Sequence, residues 1–347
     1  MSRAGLGVPP AVIAVLGAGS WGTTFAKVLA DSSPAAVIRL WARRTEVAQE
    51  INAEHRNARY LGETDLPENI VASSDAAEVL RGAELVIIAV PAQSLREQLA
   101  QWKPFISSTA VVVSLMKGLE VGTDARMSQV IGEVLGIPAH QIAVVSGPNL
   151  AMEIARQEPT ASVVACPDPE IAVWIASTCT TSYFRPYTNT DVVGVEIGGI
   201  VKNVIALAVG ICEGRQMGDN TKASVITRGL AETTRLAVAL GGQAETLAGL
   251  AGMGDLIATC SSALSRNHTA GRLLGQGLTL DQVAVRMNQT AEGIKSAQAV
   301  ADLASQHGVD MPITTNVVAV LQGSISIKEL GPRLLARDLK PEGEHIP

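Results

Sequence analysis

The apolar run Ala11–Leu16 is followed at once by Gly17-Ala18-Gly19-Ser20-Trp21-Gly22, and then by a helical segment from about Ser20 to Ala30. No other feature restricts the possible folds as strongly. In such a turn the first glycine permits the tight bend, the second lets the backbone approach a diphosphate, and the third lets the helix pack close to the strand. The unpaired N–H groups and positive end of the helix then favour an anion. The glycine spacing alone is a weak signal, because an ordinary glycine-rich turn carries the same letters. Its placement after a strand, before a helix, and ahead of a second apolar run at Val37–Trp41 makes it a dinucleotide-binding loop through Gly17, Gly19 and Gly22. A bulky Trp21 inside the loop must either pack under the helix or face the ligand.

Further apolar runs at Leu85–Val90, Val111–Leu115, Ile142–Ser146 and Ser162–Ala165 alternate with helical segments, which predicts a parallel sheet covered on both faces. After Tyr183–Pro186 the strand signal stops, and from about Asp191 helical periodicity takes over, broken at Gly241-Gly242 and Gly275-Gln276-Gly277. The expected fold class is an α/β N-terminal Rossmann domain with a parallel-rich sheet (residues 1–190), followed by an all-α C-terminal domain (residues 191–347). A length of 347 residues with 47% hydrophobic and 17% charged residues supports two buried cores and little disorder.

Charge narrows the partners. A net charge of −6 disfavours a nucleic acid or an anionic membrane surface, so an anionic substrate must be held by a few local cations. Cys166, Cys179, Cys212 and Cys260 lie far apart, with no metal-ligand spacing, and read as reduced thiols of the cytosol; no metal is expected. Met1–Pro10 lacks the pattern of a signal peptide, and Val204–Cys212, the most apolar later stretch, reads as too short to cross a bilayer.

Within the apolar segment Val195–Gly210 stands Lys202, beside Asn203. A lysine is almost never buried without a partner, so Lys202 is either ion-paired in an interface or lining a cleft, where its ammonium could protonate or stabilise a developing oxyanion. The second strand ends Arg39-Leu40-Trp41-Ala42-Arg43-Arg44, where an NAD enzyme usually places an acid to bind ribose hydroxyls. Arg43 and Arg44 are either solvated surface groups or a grip for a 2′-phosphate, which would favour NADPH. Ser114–Gly118 and Ser146–Ala151 leave strand ends on the ligand-binding edge of such a sheet, and Ser265-Arg266-Asn267-His268 reads as a capped helix start suited to a phosphate.

In order, Gly17–Thr24, Tyr60–Pro67, Ala89–Gln93, Ser114–Gly118, Ser146–Ala151, Val201–Val204, Gly252–Leu256 and Ser265–Asn267 resemble the NAD(P)-dependent glycerol-3-phosphate dehydrogenases, from about residue 11 to residue 335. The resemblance implies a C-terminal domain like that of 6-phosphogluconate dehydrogenase. It also implies reversible reduction of dihydroxyacetone phosphate to sn-glycerol 3-phosphate for phospholipid synthesis, with NAD or NADP, in a cytoplasmic homodimer. Lys202 would be the proton donor and acceptor, with Asp255 beside it. Lys117, Gly147, Asn149, Ser265, Arg266 and Asn267 would complete the substrate site. Ser20, Trp21, Arg43, Arg44, Tyr60, Lys117, Ala151, Arg266 and Glu292 would contact the cofactor. Asn149 departs from the Ser or Thr of many bacterial members but keeps hydrogen-bonding capacity. A β-hydroxyacid dehydrogenase of the 6-phosphogluconate group is the nearest rival, although its Lys and Asn stand three apart rather than adjacent. A non-catalytic dinucleotide sensor would need neither Lys202 nor Asp255, and a methyltransferase would end its second strand in an acid.

Overall fold

The computed structural model describes residues 7–287 and 291–336, so part of Met1–Pro10 lies outside the described residues. The chain divides into two compact units, residues 1–116 with 125–192 and residues 117–124 with 193–347. The first carries an eight-stranded sheet: β1 (Val12–Leu16), β2 (Val37–Trp41), β3 (Ile70–Ser73), β4 (Leu85–Ile88), β5 (Val111–Ser114), β6 (Ile142–Ser146), β7 (Thr160–Ala165) and β8 (Phe184–Asn189). Their order is β3-β2-β1-β4-β5-β6-β7-β8. Neighbours pair in parallel except β6 with β7, which run antiparallel.

Both faces of the sheet are covered. Alternation along β1 sends Ile13 and Val15 into one core and Ala14 and Leu16 into the other. β4, β5 and β6 are buried at every position, which is why they read as continuous apolar runs. The chain leaves β1 on one side to build β2 and β3, and resumes on the other side with β4. That reversal places the end of β1 at a topological switch point, where the loop after the strand is free to take a ligand. The apolar-run reading passes over β3, which is short and buries only Ile70 and Ala72, and it underestimates β8, which continues beyond Pro186. A proline is tolerated there because β8 is an edge strand.

Among the described residues the second unit is built from helices. Its longest, Val192–Gly214, is buried from Gly194 to Cys212. The sequence reading placed its apolar part as too short for a bilayer; the full helix of 23 residues has the length and composition of a span, with a mean hydropathy of 1.9. Yet 89% of that window is buried inside the fold, as in a core helix. It approaches the Arg266–Gly275 helix at backbone distance, since a Cβ on Gly210 would meet the His268 carbonyl and one on Gly271 the Leu207 carbonyl. The buried Glu232 carboxylate accepts hydrogen bonds from the Ile313 N–H (2.6 Å) and the Thr314 N–H (3.3 Å), tying the Asp219–Ala239 helix to the start of the Pro312–Leu321 helix. Burial outweighs these donors and pushes the Glu232 carboxyl up to about 7. All four cysteines are free and buried.

Candidate active site

Helix α1 (Ser20–Ser32) starts directly behind β1, and the turn between them uses its glycines in different ways. Gly17 has φ +128°, and a Cβ there would run into the Ala89 carbonyl at the end of β4. A Cβ on Gly22 would collide with the Gly17 carbonyl, so α1 can pack this close to the turn only with glycine at that position. Around Gly19 there is open space, and as the N-cap it offers no side chain to the first N–H groups of the helix. Trp21 settles against Phe25, ring centroids 5.4 Å apart, while its Nε1 is buried without a partner. Free helix-start amides, an open approach at Gly19 and an unsatisfied buried indole donor fit a dinucleotide phosphate at this turn.

One supporting residue has no signature in the sequence. Fully buried Asn57 donates to the Ala18 carbonyl (3.1 Å) and to Thr23 Oγ1 (2.9 Å), clamping the glycine turn to the segment that leads to Tyr60. Tyr60 is partly buried against the core, with the Arg59 guanidinium 5.8 Å from its ring centroid. Arg43 is exposed just past β2, and Arg44 is the N-cap of α2 (Thr45–Glu54). Arg39, within β2, donates to the Arg81 carbonyl at 2.6 Å.

Beyond β6, Gly147 has φ +139°, and a Cβ there would crowd the Ser162 backbone at 3.1 Å. Ser146 Oγ and both polar atoms of the Asn149 side chain are buried without partners, in contrast to the rule that buried polar groups are satisfied. Ala151 opens the next helix, and its carbonyl accepts from Thr24 Oγ1 of α1 at 3.3 Å. The Ser146–Ala151 stretch thus presents hydrogen-bonding groups that the unit itself leaves unused.

In the helical unit a compact charge cluster forms around Lys202. Its Nζ donates to Asp255 Oδ1 at 2.5 Å and to Thr259 Oγ1 at 2.6 Å, while Lys117 Nζ reaches Asp255 Oδ2 at 2.7 Å. Lys202 is 7% exposed and Asp255 1%. Two ammonium groups therefore share one buried carboxylate. Burial lowers the Lys202 pKa to about 8; the charge of Asp255 opposes that shift and the charge of Lys117 adds to it. Asp255 and Thr259 stand four apart on the Asp255–Ser261 helix, one turn on the same face. Thr259 escaped the sequence reading, although that spacing from Asp255 was a signal that could have found it.

Asparagines carry the arrangement onward. Asn267 Nδ2 donates to Asn203 Oδ1 at 2.9 Å, and the Gly293 N–H donates to Asn267 Oδ1 at 2.9 Å. Asn203 in turn donates toward the Lys117 carbonyl at 3.5 Å. This chain fixes the starts of the Arg266–Gly275 and Glu292–Gln306 helices against the lysine helix. Ser265 is the N-cap of the former, accepting from the His268 N–H at 3.2 Å, and leaves Arg266 exposed at its first position. Glu292 opens the latter, its carboxyl raised by burial and partly lowered again by Arg266.

A glycine-loop Rossmann unit and a helical unit with a buried lysine paired to a carboxylate define a dinucleotide-dependent dehydrogenase. Residues 12–172 match the family described as NAD-dependent glycerol-3-phosphate dehydrogenase N-terminus, and residues 191–331 match the C-terminus of the same family. A glycerol-3-phosphate dehydrogenase [NAD(P)+] of Streptomyces griseus is 56% identical over 333 residues, covering 96% of this chain and 98% of its own. One from Thermobifida fusca is likewise 56% identical, over 95% and 98%. The crystal structure of glycerol-3-phosphate dehydrogenase from Coxiella burnetii superposes with a TM-score of 0.88 at 37% identity, over 94% of this chain and 98% of that one. The chain belongs to the NAD-dependent glycerol-3-phosphate dehydrogenase family.

Proposed function

We propose that Lys202 is the group that gives and takes the proton in reversible NAD(P)H-dependent reduction of dihydroxyacetone phosphate to sn-glycerol 3-phosphate, the activity of the chain's family. The observation that carries this assignment is the buried Lys202–Asp255–Lys117 cluster, which holds an ammonium with its pKa lowered to about 8. A donor of that strength is protonated near neutrality yet able to surrender its proton. The nicotinamide, when bound, supplies or accepts the hydride. Lys202 Nζ delivers a proton to the C2 oxygen as it becomes an alkoxide, and solvent restores that proton. Asp255 and Thr259 fix the direction of Nζ. Lys117, on the other carboxylate oxygen, keeps Asp255 from saturating Lys202 alone.

Substrate phosphate and hydroxyls fall to Lys117, Gly147, Asn149, Ser265, Arg266 and Asn267. Arg266 supports this reading because it projects at the start of a helix, where guanidinium and N–H groups act together on an anion. Phosphate held there orients the reacting carbon by remote binding. The cofactor falls to Gly17, Gly19, Ser20, Trp21, Gly22, Arg43, Arg44, Tyr60, Lys117, Ala151, Arg266 and Glu292. We assign cofactor binding to residues 1–190 and catalysis to residues 191–347, with Lys117, Gly147 and Asn149 supplied by the earlier part. NADPH is favoured over NADH because arginines stand where an acid would repel a 2′-phosphate. Reducing surroundings suit four free thiols, so the cytoplasm is the proposed compartment. A homodimer is the expectation of the family resemblance, tested by sedimentation.

The direct experiment follows absorbance of NADPH and NADH with dihydroxyacetone phosphate. Oxidation of either that depends on this substrate, and its reversal with sn-glycerol 3-phosphate, is the expected result. No turnover with either cofactor would overturn the reading.

A further inference from the structure

An asparagine just before a helix ordinarily spends its side chain on that helix's own N–H groups. Asn57 stands in that position before the short Ala58–Leu61 helix and makes no such bond. Glu50 of α2 accepts from the Ala58 N–H instead, at 3.0 Å. The Asn57 amide is thereby released to cross to the glycine turn, where Nδ2 donates to the Ala18 carbonyl and to Thr23 Oγ1. Its backbone is held in place: the Asn57 carbonyl accepts from the Tyr60 and Leu61 N–H groups at 3.0 and 2.9 Å, and the Leu66 N–H closes onto the His55 carbonyl at 2.8 Å. This arrangement leaves Asn57 Oδ1 without a partner in a fully buried side chain. Packing alone does not call for that, because an apolar side chain of similar size would fill the space without an unpaired acceptor.

The Ala18 carbonyl and the Gly19 N–H belong to one planar trans peptide, so they point in opposite directions. Fixing the carbonyl onto Asn57 therefore turns the Gly19 N–H away from Asn57 and holds it there. The Gly19 carbonyl is fixed as well, accepting from the Thr23 N–H at 2.9 Å, while the space around the Gly19 Cα stays open to an anion. We propose that Asn57 is a positioning residue for the dinucleotide. Through Ala18 it aims the Gly19 N–H at the diphosphate, and through Thr23 it locks the first turn of α1 to the same peptide. The inference rests on the diphosphate lying at the Gly17–Gly22 turn.

Titration calorimetry of the full chain with NADP+ and with NAD+, in the absence of substrate, reads the effect directly. Asn57→Ala should weaken the tighter of the two about tenfold to a hundredfold, the range for one hydrogen bond to a charged group. Asn57→Asp keeps the shape but sets a carboxylate against the Ala18 carbonyl, so at about pH 9 it should bind at least as weakly as the Ala variant. At about pH 6 that buried carboxyl is protonated and regains one O–H donor, so its Kd should recover about tenfold relative to wild type. The Ala variant should show no such recovery. Circular dichroism at both pH values confirms that the compared proteins are equally folded. Thr23→Val preserves the shape of a buried side chain, removes one acceptor of the Asn57 amide, and should weaken binding about threefold to tenfold, as for a neutral hydrogen bond. In turnover the Asn57 variants should lose more in the cofactor KM than in kcat. Wild-type Kd in folded Asn57→Ala and Thr23→Val, or an Asn57→Asp affinity that ignores pH, would overturn the proposal. If the Asn57 variants do not fold, the Thr23→Val titration decides alone. A wild-type chain that bound neither dinucleotide would instead sink the placement of the diphosphate on which the proposal rests.

Discussion

Replacing Lys202 by Met keeps the length of an unbranched stem in a fully packed helix and removes only the ammonium. The structure shows why such a variant should fold: Asp255 would retain Lys117 at 2.7 Å and the Thr259 hydroxyl as partners, so no isolated charge is left in the interior. What disappears is the proposed proton donor. A positioned acid or base is worth about 10²–10⁴ in rate, or roughly 2.7–5.4 kcal/mol of barrier at about 1.36 kcal/mol per decade. Steady-state kcat with dihydroxyacetone phosphate should fall within that range, while NADPH affinity, read from cofactor fluorescence, should barely change. The pH profile gives an independent reading. Reduction needs the protonated amine, so with the Lys202 pKa at about 8 wild-type kcat should decline as pH rises above 8, and oxidation of sn-glycerol 3-phosphate should decline as pH falls below it. Lys202→Met should abolish both inflections. Turnover within about tenfold of wild type, or an unchanged inflection, would reduce Lys202 to a structural ion-pair partner.

Arg266→Ala should cost roughly 1.5–3 kcal/mol of dihydroxyacetone phosphate binding and spare unphosphorylated dihydroxyacetone; equal loss for both substrates would exclude a phosphate contact. Arg43→Ala should lower kcat/KM for NADPH more than for NADH, and the difference should shrink as salt is raised, because the residue is exposed. An unchanged cofactor ratio would leave Arg43 a solvated surface group. Glu232→Gln tests the buried helix tie: burial lifts the wild-type carboxyl from 4.5 to about 7, so the folded state holds an extra proton between those values. Wild-type stability should therefore fall relative to the Gln variant as pH rises from 4.5 through 7, by about 3 kcal/mol in all. Denaturant titrations at pH 4.5 and pH 8 that gave the same difference would contradict this.

The sheet was legible where burial is symmetrical. β4, β5 and β6 are covered on both faces, so their composition alone marks them, whereas β3 buries alternate residues over a short length and β8 contains a proline permitted only by its edge position. The same contrast governs the site. Gly17 and Gly22 stand out because backbone collisions exclude every other residue, and their spacing is local in the chain. Lys202 stands out because its chemistry conflicts with the surrounding apolar helix.

Thr259, Asn57 and the asparagine chain conflict with nothing near them in sequence, and their meaning comes from partners distant along the chain. Thr259 touches Lys202 across 57 residues, Asn57 reaches Thr23 across 34, and Asn267 reaches Asn203 across 64. A residue that does chemistry must violate the expectations of its environment to acquire a shifted pKa, so its type is visible in place. A residue that holds another in position needs only a satisfied hydrogen bond, and a buried, satisfied Thr or Asn looks like any other interior polar group until the fold supplies its partner. Lys117 lies between the two cases. As a lone cation after β5 it reads as a surface loop, and it joins the buried charge cluster only through the Asp255 carboxylate it shares with Lys202, 138 residues further along the chain than Lys117 itself.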